Sequence, residues 1–150
     1  MDVSFKNIEF AYNGKAVLKD LNSKIKDGDF VALVGPNGSG KSTLLKCING
    51  ILRVRKGSIE INKKNIDNYR TAELAENIAY VPQTEKGISN LTVFDTVLMG
   101  RKPYIRWKPT KSDINFVADL LEEMKLDDIA MREINKLSGG QRQSVFIARA

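Results

Sequence analysis

Residues 3–12, VSFKNIEFAY, alternate apolar and polar positions, which predicts a strand with one buried face. LNSKI, at 21–25, repeats the alternation after a polar turn. FVALVG, at 30–35, is a short continuous apolar run and predicts a strand buried on both faces. A glycine-rich stretch follows, and beyond it Leu44, Leu45, Ile48, Ile51 and Leu52 recur at helical spacing. The order is strand, glycine-rich loop, helix. GSIEIN predicts another strand, entered through Gly57, and IAYVPQ a buried one that must end near Pro82, because proline cannot donate to a ladder.

From Thr92 onward the period becomes helical. Thr92 with Asp95, and Thr110 with Asp113, stand three apart, as in a capping box with a shortened acid. Behind the second pair, Ile114, Val117, Leu121 and Met124 fall on one helical face. Strands thus come mainly first and a helix-rich stretch follows from about 92 to 136, which reads as a subdomain. No internal repeat, low-complexity tract or linker interrupts the pattern.

Composition narrows this picture. A chain of 150 residues, 42% apolar and 28% charged, can bury one ordinary globular core. No apolar run approaches the roughly 18 residues of a membrane helix. MDVSFKNIEF carries an acid at position 2 and no apolar core segment, so it does not read as a signal peptide. Cys47 has no cysteine to pair with, which fits a reducing compartment, and its apolar neighbours predict a packed thiol. The net charge of +6 suits first of all a solvated surface, and after that a nucleotide, a nucleic acid or an anionic membrane. Charge alone does not choose.

GPNGSGKST, at 35–43, matches the phosphate-loop pattern G-x-x-x-x-G-K-[ST] in full, between a predicted strand and a predicted helix. Gly35, Gly38 and Gly40 let the backbone turn tightly enough to aim successive N–H groups at phosphate oxygens, with Pro36, Asn37 and Ser39 between them. The N-terminus of the helix that follows adds partial positive charge. Lys41 supplies a full charge to the β- and γ-phosphates, and Ser42, followed by Thr43, places a hydroxyl on Mg²⁺. The expected ligand is a nucleoside triphosphate.

LSGGQRQSVFIARA closes the chain. Ser138 and Gln141 make a capping box, which accounts for the serine and the glutamine. It does not account for Gly139 and Gly140, each costing a helix about 1 kcal/mol relative to alanine. Glycines there make sense where an anion approaches bare N–H groups closely.

The two stretches together resemble the phosphate loop and signature motif of the ATP-binding cassette (ABC) ATPases, and the resemblance runs along the whole chain. It implies an α/β P-loop NTPase fold: a nucleotide-binding core with an N-terminal antiparallel β subdomain over 1–91, an inserted helical subdomain over 92–136, and the signature with the start of its helix over 137–150. It implies ATP and Mg²⁺ as ligands. Tyr12 then corresponds to the aromatic that stacks on adenine, and Gln83 to the glutamine that touches Mg²⁺ and water and senses the transporter. It further implies head-to-tail pairing of two copies, so that Ser138, Gly139, Gly140 and Gln141 of one face the γ-phosphate held by the other. Membrane-embedded permease subunits would hold the pair at the cytoplasmic face of the membrane. Ser144 stands where many relatives carry arginine, past the phosphate-facing turn. The chain has no histidine and no four apolar residues leading into Asp-Glu. By this likeness the cassette is C-terminally incomplete, and the 150 residues alone are expected to bind ATP weakly without hydrolysing it.

Gly100, Arg101 and Pro103 resemble a GR-x-P segment in importers of iron–siderophore complexes, haem and cobalamin, and point to such a cargo. Non-transporter ABC ATPases acting on nucleic acid or the ribosome remain the second class. Arg101, Lys102, Arg106, Lys108 and Lys111, with Tyr104 and Trp107 between them, form a basic run that a nucleic-acid patch would also use. No recognised nucleic-acid fold accompanies it, so no nucleic-acid partner is expected.

Overall fold

Strands β1 (Val3–Tyr12) and β2 (Lys15–Ile25) form an antiparallel hairpin in the computed structural model, with Asn13 and Gly14 as its turn. Both turn residues have positive φ, 47° and 83°, the combination whose twist matches that of paired strands. The structure describes residues 1–83 and 90–150, in two units, Met1–Ile78 and Ala79–Ala150.

In the first unit helix α1 (Lys41–Ile48) precedes strands β3 (Lys56–Ile61) and β4 (Lys64–Asn65), and a short helix α2 (Thr71–Asn77) follows. The sheet order is β2-β1-β3-β4, every neighbouring pair antiparallel. The β1–β2 register shifts at Asn7 and again near Asp20, which sit at φ 51° and 46°. Asparagine and aspartate tolerate that region best among non-glycine residues. Side chains hold the irregularity: the Asn7 amide N–H donates to Asn22 Oδ1, and Asn7 Nδ2 to Asp20 Oδ1, both at 2.8 Å. One face of the sheet carries Phe5, Ile8, Leu18 and Ile59 against Leu44 and Cys47 of α1. Burying each such aliphatic side chain contributes about 1.5–3 kcal/mol.

Two expected strands are absent. Neither 30–35 nor 78–83 pairs with any strand among the described residues, and Phe30 and Val34 are 99% and 92% exposed. A continuous apolar run records that both faces favour burial, but a strand exists only where a neighbour completes its ladder. Helix α1 also ends earlier than its periodicity predicts. The chain leaves the helix at Asn49 and Gly50 (φ 68°), so Ile51 and Leu52 lie beyond it, and Leu45 and Ile51 are exposed.

The second unit packs α3 (Val93–Gly100), α4 (Lys111–Glu123) and α5 (Gly139–Arg149) around Val93, Val97, Val117, Leu121, Val145 and Phe146. Both threonine caps form. Thr92 Oγ1 accepts from the Asp95 N–H at 3.0 Å, and Thr110 and Asp113 make a reciprocal box. Val117 and Leu121 are buried as the helical spacing predicts, whereas Ile114, on the same stripe but in the first turn, is 43% exposed. No helix among the described residues is long and apolar enough to cross a membrane.

Candidate functional site

Helix α1 starts at Lys41 because Gly40, at φ 94°, turns the chain left-handed and lies flat on β2. A Cβ there would stand 2.8 Å from Leu18 Cδ2 and 3.3 Å from the Val17 carbonyl oxygen, so the sheet fixes the floor of the loop and admits only glycine. Leu44 N–H donates to the Gly40 carbonyl at 2.8 Å and begins the helix. Gly35, Pro36, Asn37, Gly38 and Ser39 are all exposed. Their loop closes through the Ser39 N–H donating to Pro36 O at 3.3 Å. The Lys41 ammonium donates to the Gly35 and Pro36 carbonyls, both at 2.8 Å. Two of its three protons are committed and one is left for an anion. No acidic residue stands in the first turn of α1 to compete for it.

Around this loop Ser42 is exposed and Thr43 buried, with a relative exposure of 9%. Cys47 is buried in the sheet-facing row, and desolvation pushes its thiol up, so it is a packed, unreactive group. Tyr12, at the end of β1, is 45% exposed and packs edge-on to Phe10 with ring centroids 4.9 Å apart. Among the described residues no three His, Cys, Asp or Glu side chains gather where they could hold a metal.

The second unit holds the remaining predicted residues. Gln83 is exposed. Ser138 caps α5: its Oγ accepts from the Gln141 N–H at 3.3 Å, and Gln141 Oε1 accepts from the Ser138 N–H at 3.1 Å. Gly139 and Gly140 border open space, with no atom beyond their own turn of helix within 4 Å of where a Cβ would stand among the described residues, and neither has positive φ. Nothing among the described residues requires glycine at either position.

One organised cluster escaped the sequence. Arg101 donates through Nε and Nη2 to Asp113 Oδ1, each at 3.2 Å, and its guanidinium lies 4.5 and 4.6 Å from the ring centroids of Tyr104 and Phe116. The Asp113 carboxyl is held below its ordinary value, first by the Thr110 hydroxyl and backbone N–H and then by Arg101. The capping spacing placed Asp113 beside Thr110; nothing local placed Arg101 there.

An antiparallel sheet carrying a glycine-rich loop into a helix, with a helical unit led out by a capped Ser-Gly-Gly turn, is the α/β P-loop architecture of a nucleotide-binding cassette. The family described as ABC transporter matches residues 18–150, and the chain belongs to it. It is 45% identical over 150 residues to an uncharacterized ABC transporter ATP-binding protein of Methanocaldococcus jannaschii, covering 100% of this chain and 59% of that protein. Against the iron(3+)-hydroxamate import ATP-binding protein FhuC of Bacillus subtilis it is 37% identical over 150 residues, covering 99% of this chain and 56% of that one. The solved ADP conformation of an ATP-binding cassette of an ABC transporter superposes with a TM-score of 0.80 at 30% identity, over 99% of this chain and 64% of that one. The chain spans less than two thirds of the length of each.

Proposed function

We propose that this chain is the nucleotide-binding part of an ATPase subunit that couples ATP binding and hydrolysis, in a head-to-tail dimer, to import of an iron chelate, haem or cobalamin. The observation that carries the reading is the Lys41 ammonium, held over the Gly35 and Pro36 carbonyls at the start of α1 with one proton uncommitted. In this reading the backbone N–H groups from Gly35 to Ser39 and the Lys41 ammonium hold the phosphates, and Tyr12 packs on the base. Ser42 and Gln83 offer oxygens to Mg²⁺, which when bound draws negative charge away from the β- and γ-phosphates. Ser138, Gly139, Gly140 and Gln141 serve the γ-phosphate of the partner copy. The open space around the two glycines supports a role toward something outside the chain.

Import of a metal chelate draws support from the likeness to the iron(3+)-hydroxamate import ATPase and from Gly100, Arg101 and Pro103. Permease subunits would place the dimer at the cytoplasmic face of the membrane. Lys41→Ala tests the core of the reading. The wild type should show an Mg²⁺- and ATP-dependent rise in melting temperature that the variant loses, while the two melt alike without nucleotide. An undiminished rise in the variant rejects the site.

A further inference from the structure

From Thr96 to Ser112 the chain carries five Lys and Arg and no acid. Arg101 is already committed, to Asp113 and to the two rings that flank it. Lys102, Arg106, Lys108 and Lys111 are exposed and make no ion pair among the described residues. Between them Trp107 is 96% exposed and Tyr104 53% exposed, with Met99 at 46% just before the loop. Folding of this unit does not use the Trp107 indole at all. The loop is nonetheless held in place: Tyr104 N–H and Ile105 N–H donate to the Arg101 carbonyl at 2.9 and 3.2 Å, and Pro103 and Pro109 restrict it further. An amphipathic aromatic and four cations are thus presented together from a fixed base.

We propose that residues 102–111 are a contact site for an anionic lipid surface, with Trp107 and Tyr104 entering the headgroup layer and the four cations pairing with lipid phosphates. Indole and phenol rings favour that layer because one end is apolar and the other polar. Basic side chains beside them gain from the negative surface potential, about a fivefold increase in partitioning per cation. Single-stranded nucleic acid fits less well. It needs open aromatic faces in series along a charged groove, and the Tyr104 ring already has the Arg101 guanidinium 4.5 Å from its centroid. The proposal rests on these side chains and not on the nucleotide reading.

Trp107 is the only tryptophan in these 150 residues and reports on its own surroundings. In full-length protein, any tryptophan outside them is replaced by phenylalanine, and emission is followed on adding vesicles. Vesicles of equal parts phosphatidylglycerol and phosphatidylcholine should shift Trp107 emission to the blue and, when brominated, quench it; pure phosphatidylcholine should do neither. Replacing Lys102, Arg106, Lys108 and Lys111 together by Gln should lower co-sedimentation with the anionic vesicles by roughly two orders of magnitude or more. The urea unfolding midpoint of that variant should match wild type, which shows that the fold is intact. Three results overturn the proposal: no blue shift on anionic vesicles, undiminished co-sedimentation of the fourfold variant, or tighter binding of a single-stranded oligonucleotide than of vesicles in the same titration.

Discussion

Gly100, the last residue of α3, lies directly against the carbonyl group of Arg149, the last residue of α5, and a Cβ on Gly100 would overlap that oxygen. The two helices meet there backbone to backbone, with no side chain between them. The helix led by Ser138 is thereby held at Arg149 by a glycine that also opens the basic loop.

Gly100→Ala should therefore destabilise the protein by about 1–3 kcal/mol, the usual cost of forcing extra volume into a packed contact. In a helix interior the same change normally stabilises, since alanine is the better helix former. Urea unfolding of full-length protein decides between the two effects. A midpoint equal to or above wild type would mean that α3 and α5 can separate at no cost.

The Arg101–Asp113 pair predicts a pH dependence. The Asp113 carboxyl sits below its ordinary value in the folded chain, chiefly because the Thr110 hydroxyl donates to it at 2.6 Å and Arg101 adds its charge. A carboxylate depressed on folding binds protons less readily folded than unfolded. Its stabilisation is therefore complete above the unfolded value of about 3.9, and is lost as pH falls from there through the lower folded value. The stability gap between wild type and Asp113→Asn should be constant near neutrality and close in acid. Urea midpoints of both proteins across that range provide the check, and a gap that persists in strong acid would assign it to packing.

Much of this was legible along the chain, for local reasons. β1 has the bounds its alternation predicts, and the three capping pairs formed because each needs only residues three apart. The loop at 35–43 is equally local: Gly40 must be glycine where the chain turns onto β2, and Lys41 reaches back over its own loop. Hydrophobic runs are less direct evidence. Those at 30–35 and 78–83 state a demand for burial without naming the neighbour that meets it, and Phe30 stands exposed where that neighbour is absent. Arg101 shows the same limit among polar residues. Its carboxylate and one ring come from α4 and the other ring from the loop between, and no spacing in the sequence announces that Arg101 meets Asp113 and Phe116 across that loop.

Gly139 and Gly140 separate stability from function. Both sit in the first turn of α5 at ordinary helical φ with open space where a methyl would go. Alanine at either position should raise stability by about 0.5–1 kcal/mol, because glycine loses more backbone entropy on entering a helix. If the turn receives a phosphate, the same variants should trap nucleotide less well. More stable and less active is the expected pair of results, from urea unfolding and vanadate trapping of full-length protein. Stabilised variants that trap normally would leave the glycines without a role.

Whether that turn serves the loop of a partner copy, as proposed, can be tested with two mixed dimers. Lys41→Ala removes the loop cation and Ser138→Arg fills the signature turn with a bulky cation. In the first dimer each subunit carries one lesion. In the second, one subunit carries both and its partner is wild type. Head-to-tail pairing makes each site from the loop of one subunit and the signature of the other. Both lesions of the first dimer then fall in a single composite site, and the second site remains whole. In the second dimer the lesions fall in different sites and damage both. The first should therefore retain more nucleotide trapping. If each signature serves its own loop, the order reverses, because the double lesion is then confined to one subunit. Coupling between sites slows both dimers and leaves their order unchanged. Greater trapping by the second dimer would show that Ser138 and the two glycines face the loop of their own chain.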